Sequence, residues 1–366
     1  MKLKISELIK CIETIAPPQY QESYDNSGLL VGDRNQEIDK VLLSIDVTEE
    51  IVEEAVALGA GLIIAHHPII FKNLKRLTPD NYVQRTVISA IKNNIAIYAA
   101  HTNMDAVLQG VNMQLAEKLG LQNISVLQPV SGKLKKLYCF VPESHLDSFR
   151  NAVFSTGAGE IGAYSDCSFN AAGYGTFRAG KNTNPFVGKI GELHKEAEIK
   201  VEIVFPEHLQ NQIIQAVLKN HPYEEPAYDI IQLENEWNQL GIGLYGELAQ
   251  PLLETELLDL VKNTLGIPAL RFTKAEKTKF QKIAICGGTG AFLIKPAKRA
   301  GADAFITADV KYHEFFDAEK RMMIVDAGHY ETEQFTKDLF YRVITKKFPN
   351  FAVQISNRNT NPVNYY

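Results

Sequence analysis

The chain has 366 residues, of which 45% are hydrophobic and 22% charged, with a net charge of -5 and an isoelectric point near 6.0. That length allows two or three domains of ordinary globular composition, and the acidic balance argues against a general basic surface for nucleic acid while leaving a local one open. No apolar run approaches the length of a membrane span.

The opening stretch, MKLKISELIKCIETIAPP, does not read as a signal peptide, because Glu7 and Glu13 interrupt it and Ile5, Leu8, Ile9 and Ile12 keep helical spacing. Cys11, Cys139, Cys167 and Cys286 are widely scattered with no C-x-x-C pair, which fits reduced thiols and a cytoplasmic location. Strand and helix patterns then alternate. DKVLLSID (39–46) reads as a strand, and TEEIVEEAVALGA (48–60) as a helix with Thr48 as N-cap and Gly59 as stop. GLIIA is the next strand, 80–94 the next helix, IAIYAA (95–100) another strand and 110–120 another helix. This order predicts βαβ units and a largely parallel sheet.

The middle, 131–235, has a different rhythm. KLYCFVP, ESHLDSFRNAVFS, AEIKVEIVFP, EHLQNQIIQAVLKN and AYDIIQLE follow a β-α-β-β-α-β order, a ferredoxin-like α+β plan, although the glycine-rich stretch 155–195 gives no strand positions. The last part, 236–366, returns to alternation: strands at 282–286, 303–309 and 323–328, helices at 291–302 and 311–322, then a long final helix and a strand at 351–356. ALGAGLIIAHH (57–67) aligns with RAGADAFITAD (299–309), and a second alignment places His101 on His329 and Asp105 on Glu333. The expected architecture is therefore two related α/β lobes, 1–130 and 236–366, facing a cleft, with 131–235 inserted between them. Open α/β sheets place their sites at strand C-terminal ends.

LIIAHHPII (62–70) poses the main chemical question, since adjacent side chains on a regular strand point to opposite faces. His66 and His67 share a site only where the strand ends, and Pro68 marks such an end. His101, Asp105, His329 and Glu333 also fall at predicted strand ends or in the following turn. Imidazole and carboxylate donors suit zinc, manganese, iron or nickel. Five or six such donors exceed the needs of one tetrahedral zinc. Two ions bridged by a carboxylate, about 3.5–4 Å apart, fit better, with each adjacent histidine serving a different ion. His313 is an intermediate candidate, either near the cleft or on a helix face. Gly287, Gly288, Thr289 and Gly290, in ICGGTGAF (285–292), could cradle a phosphate or form a plain tight turn. His145, His194, His208 and His221 lie in the middle segment and read as ordinary.

YDNSGLLVG (24–32), SIDVT (44–48), AHHPIIF (65–71), HTNMD (101–105), GGTG (287–290), TADVKYH (307–313) and DAGHYETE (326–333) together resemble the ordered motifs of the Nif-three-like family, whose members are called GTP cyclohydrolase 1 type 2 homologs. The middle, with NHPYEEPAYDI (220–230), is similar to the inserted PII/CutA-like domain of longer members. The resemblance implies a dinuclear metal centre held by His66, His67, Asp105, His329 and Glu333, and of these we assign Glu333 as the bridge. It places His101 behind the ligands, orienting them or shuttling protons. It implies metal-dependent hydrolysis of a small molecule, with opening of the GTP purine ring as the family's named chemistry, and a ring-shaped hexamer. Tyr24 stands where the family often has Trp, and Ala308 where it has a second Gly; neither is a ligand position. The competing class is a non-enzymatic metal-handling or regulatory protein whose insert senses a small molecule.

Overall fold

Helix Glu49–Leu58 shows how local chemistry sets the elements. The Thr48 hydroxyl accepts the Ile51 N–H at 3.4 Å, and Gly59 ends the helix at φ 68°, where a side chain would be strained. Asn81 caps helix Tyr82–Lys92 in the same way. Strands Leu62–Ala65 and Ala96–Ala99 are buried throughout, as expected of parallel strands covered on both faces.

The computed structural model describes all residues from Met1 to Tyr366, and they divide into two compact units. One combines Met1–Pro129 with Asn238–Tyr366, and the other is Val130–Trp237. The first unit holds a five-stranded sheet in the order Ala352–Ile355, Lys40–Ser44, Leu62–Ala65, Ala96–Ala99, Gly28–Val31. Its first four strands are parallel, and Gly28–Val31 runs antiparallel at the edge. A six-stranded sheet follows the order Arg271–Phe272, Met323–Asp326, Ala304–Ala308, Lys279–Thr289, Glu236–Leu253, Gln122–Ser131. Met323–Asp326, Ala304–Ala308 and Lys279–Thr289 pair in parallel; Arg271–Phe272 and Glu236–Leu253 pair antiparallel to the outer two of them. The fold is thus mixed α/β, less parallel than the alternation suggested. No helix is long and apolar enough to cross a membrane.

Sheet membership departs from the sequence-drawn lobes at two places. Ala352–Ile355 leaves the second lobe and pairs in parallel with Lys40–Ser44, and Gln122–Ser131 leaves the first and joins the six-stranded sheet. Each covers an edge that would otherwise expose unpaired backbone groups. The stretch at 311–322 is a 3-10 helix over Tyr312–Ala318 rather than an α-helix. Tyr312, Phe315 and Ala318 recur every three residues, the period of that tighter helix, and Glu319 stops it at φ 50°.

The second unit runs Leu134–Pro142, helix Leu146–Phe154, Phe169–Arg178, Leu193–Pro206, helix Gln210–Asn220, Tyr228–Leu233. Its sheet order is Tyr228–Leu233, Leu134–Pro142, Leu193–Pro206, Phe169–Arg178, with every neighbouring pair antiparallel. Leu137, Cys139, Val141, Val201, Ile203 and Phe205 pack against Phe149, Val153, Ile213 and Val217 of the two helices in a core of their own.

Within the first unit, Gly241 lies against Gln128 and Pro129, and Gly246 against Gln122, so the two strands that lead out of it run side by side in opposite directions. Joining residues 129 and 238 through a two-residue Asn-Gly hairpin therefore spans adjacent strand ends. The joined protein is expected to stay folded and to bind metal with the full-length stoichiometry. Elemental analysis of the soluble deletion protein checks this, and loss of metal would show that residues 130–237 help to build the site.

Candidate metal centre

Strand Leu62–Ala65 ends where one carbonyl takes two amides: the His66 and His67 N–H groups both donate to the Ile45 carbonyl, at 3.1 and 2.9 Å. That sharing breaks the strand's alternation, so neighbouring imidazoles turn to one side with ring centres 4.9 Å apart. His101 immediately precedes the short helix Thr102–Ala106, after strand Ala96–Ala99, and Asp105 lies one turn on. His329 and Glu333 begin and end the helix His329–Glu333, placing both side chains on one face. Gly328 feeds that helix at φ 86°.

Each histidine is held by Nδ1. His66 Nδ1 meets the Ala100 carbonyl at 2.9 Å. His67 Nδ1 meets Asp46 Oδ1 at 2.7 Å, His101 Nδ1 meets Asp25 Oδ1 at 2.8 Å, and His329 Nδ1 meets Asp309 Oδ2 at 2.7 Å. An imidazole that donates Nδ1–H in this way presents an Nε2 lone pair, which is how proteins orient metal-binding histidines.

The donor atoms form three overlapping groups: His66, Asp105 and Glu333; His67, His329 and Glu333; and His66, His67 and His101. Glu333 Oε2 lies 2.9 Å from His67 Nε2, 3.2 Å from His329 Nε2 and 3.7 Å from His66 Nε2. His66 Nε2 is 3.6 Å from Asp105 Oδ1. The His66 ring is 0% exposed, and its Nε2 has no hydrogen-bond partner. An orphaned buried acceptor is costly. Two ligands bound to one zinc at about 2.0–2.1 Å with tetrahedral angles lie about 3.3–3.4 Å apart, close to the spacings found here. A cation at the centre would satisfy His66 Nε2 and both carboxylates, so the residues present fit a divalent ion.

The electrostatics agree. Burial pushes the Asp105 carboxyl up, the Glu333 charge adds to it, and the group reaches about 7. Glu333 is also buried, but the imidazoles of His66, His329 and His67 outweigh burial and hold it well below the usual carboxylate range. Burial opposes charge on His67 and His329 as well, yet the adjoining carboxylates carry them to about 10 and about 9. Two carboxylates forced together need positive charge between them, whether from protons on histidine or from metal.

The remaining sequence candidates take other places. His313 is exposed on the 3-10 helix, its ring against Tyr312 and Phe316, outside all three donor groups. The glycine stretch turns its amides inward: Gly287 N–H donates to Asn112 Oδ1 at 2.8 Å and Gly288 N–H to Thr332 Oγ1 at 3.0 Å. Those two amides are not free for a phosphate. Thr289 donates to Asp309 Oδ2 at 2.6 Å, behind His329. The glycines instead allow close approach, since a methyl on Gly288 would collide with Glu333 Oε1 and approach His329 Cε1 to 3.3 Å. Gly288 also has φ 62°. Gly288→Ala is thus expected to displace the Glu333 carboxylate, destabilise the fold by about 1–3 kcal/mol and weaken metal binding. Thermal unfolding together with metal titration checks this, and wild-type values in both would refute the packing role.

Asp25, Asp46 and Asp309 were missed as functional residues, although each sits in a motif singled out above: YDNSG, SIDVT and TADVKYH. Their signal was a lone aspartate at a strand end or turn, readable only once the partner histidine is known. Thr102 donates to Asp25 Oδ2 through its N–H at 3.0 Å and through its hydroxyl. These bonds and His101 outweigh burial and hold the Asp25 carboxyl far below its usual range.

A family model described as Duf34/NIF3 (NGG1p interacting factor 3) matches residues 3–362. The chain is 40% identical over 363 residues to a GTP cyclohydrolase 1 type 2 homolog of Halalkalibacterium halodurans, covering 98% of each chain. It is 37% identical over 366 residues to the Bacillus subtilis protein of the same name, again covering 98% of each. Among solved structures, a Bacillus cereus protein related to NIF3 superposes with a TM-score of 0.88 at 37% identity, over 100% of this chain and 99% of that one. Shared architecture across the whole length and sequence identity of this order lead to one conclusion: the chain belongs to the Duf34/NIF3 family.

Proposed function

We propose that this protein holds two divalent transition-metal ions, zinc first among zinc, manganese, iron and nickel, and uses them to hydrolyse a small molecule. His66, Asp105 and Glu333 hold one ion; His67, His329 and Glu333 hold the other. The observation that carries the reading is the pair of three-donor groups with Glu333 common to both. When bound, such ions supply Lewis acidity and lower the pKa of water into the neutral range. The residues around them position and move protons. Asp46 and Asp309 fix the rings of His67 and His329. His101, with Nδ1 tied to Asp25, has its ring centre 5.3 Å from that of His66 and 5.4 Å from that of His67. With Nδ1 tied to Asp25, its Nε2 would be the atom that takes up or returns a proton during hydrolysis.

A pocket of about 620 Å³ opens beside His67 and His329, bounded by Arg271, Tyr330 and Asn361. This is within the usual size for small-molecule sites, and Thr360, next to that wall, donates to Asp46 Oδ2 at 2.6 Å. A nucleotide is the substrate class suggested by the relatives' name. A substrate screen on metal-loaded protein tests the reading: turnover that His66→Ala abolishes supports an enzyme, whereas metal-dependent partner binding without turnover supports the regulatory alternative. The separate core of Val130–Trp237 favours keeping that alternative. We assign this unit the ferredoxin-like plan on its element order and its antiparallel sheet order. The ring-shaped hexamer is tested by light scattering against the chain mass of 40.9 kDa.

A further inference from the structure

The sheet of Val130–Trp237 turns one face to its two helices, through Leu137, Cys139, Val141, Val201, Ile203 and Phe205. By strand alternation, Phe140, Gly175, Phe177 and Glu198 point to the opposite face. There they border a pocket of about 450 Å³, closed in part by Phe186 and Tyr223. Phe177 and Phe186 both pack on Tyr223, with ring centres 6.1 and 6.2 Å away. The walls are thus largely aromatic.

Glu198 is the unusual member. It is 8% exposed, and it has no ion pair with any lysine, arginine or histidine. Its Oε1 accepts the Tyr223 hydroxyl at 2.9 Å. Its Oε2 has no hydrogen-bond partner and lies over Gly175, where a methyl would collide with it. The absence of a side chain there keeps the oxygen open to the pocket. Arg178 is the one cationic side chain in the lining, and its guanidinium donates to the Gly191 carbonyl instead. Glu224 and Glu225 add negative charge at the rim, Glu224 Oε2 accepting the Asn184 N–H at 3.0 Å.

A largely buried acidic side chain that turns one unpaired oxygen into an aromatic pocket offers an acceptor for a ligand N–H. Aromatic faces attract cations by their quadrupoles. We infer that this pocket binds a small organic cation carrying at least one N–H, an alkylammonium or amidinium group, with Glu198 Oε2 as its acceptor and Phe177, Phe186 and Tyr223 as its walls. A nucleotide would also stack on the rings, but its phosphates meet three carboxylates here. None of the residues lining the pocket belongs to the donor groups of the metal centre.

Isothermal titration of the full-length protein with benzamidinium, agmatine, tetramethylammonium and GTP tests the inference. Benzamidinium or agmatine is expected to bind, and tetramethylammonium, which offers no N–H to Oε2, to bind at least about tenfold more weakly. Glu198→Gln keeps the side-chain shape and should lower the affinity for the N–H cations by about tenfold or more. Phe186→Ala, at a half-exposed position, should weaken the same cations while leaving the melting temperature and metal content unchanged. No binding of either N–H cation to wild type, equal binding to Glu198→Gln, or GTP competing at this pocket would overturn the assignment.

Discussion

Glu333→Ala is expected to strip both metal ions from the protein, because its carboxylate is the only group common to the two donor sets built on His66 and on His67 with His329. Loss of a residue that only orients a ligand costs about 10–100-fold in metal affinity. Losing a shared direct ligand should therefore weaken both sites by more than about 100-fold. Alanine also removes the group that lies against Gly287 and Gly288, so Glu333→Gln serves as the volume-conserving comparison. It retains the packing and one carbonyl oxygen but no charge to hold two cations. Elemental analysis of purified variants, with circular dichroism to show that each is folded, provides the measurement. A folded Glu333→Ala protein that still carries two ions per chain would remove Glu333 from the bridging role.

His329→Ala and His101→Ala should separate sharply, although the sequence alignment sets the two histidines at matching positions. His329 Nε2 approaches Glu333 Oε2 at 3.2 Å and shares that oxygen with His67. His101 approaches His66 and His67 but belongs to no group that contains Glu333. His329→Ala should therefore lose the ion on the His67 side even at saturating metal. His101→Ala should keep both ions and lose at most about 10–100-fold in affinity or activity. Asp309→Ala, which frees the His329 ring by removing its partner at 2.7 Å, should fall in the same milder range. A structure of the metal-loaded protein with His101 Nε2 at about 2.0–2.1 Å from a zinc ion would make His101 a ligand and reverse this assignment.

Much of the local architecture was determined by the sequence alone. Thr48 and Gly59 mark helix ends because capping depends on a side chain within three residues of the amide it satisfies, or on a single left-handed residue. The apolar runs LIIA and AIYA specify buried strands, and Pro68 after the histidine doublet signals that the strand has ended. Donors at several strand ends made a shared metal site the natural expectation, since strand C-terminal ends converge in open α/β sheets.

Tertiary structure decided what depends on partners distant in the chain. Ala352–Ile355 reads as a strand, but nothing local says that it pairs with Lys40–Ser44 rather than with its own lobe's sheet. The Ile45 carbonyl, by taking two amides, turns both histidines to one side. Asp25, Asp46 and Asp309 orient rings that lie 76, 21 and 20 residues away, so no spacing rule could nominate them. The GGTG stretch had the composition of an anion cradle. Only the approach of Glu333, Asn112 and Thr332 shows that its small residues make room for a buried carboxylate and turn two of their amides inward. Sequence patterns report propensity and periodicity over a few residues, whereas steric fit and hydrogen-bond satisfaction in a core are set by groups that meet only after the chain has folded.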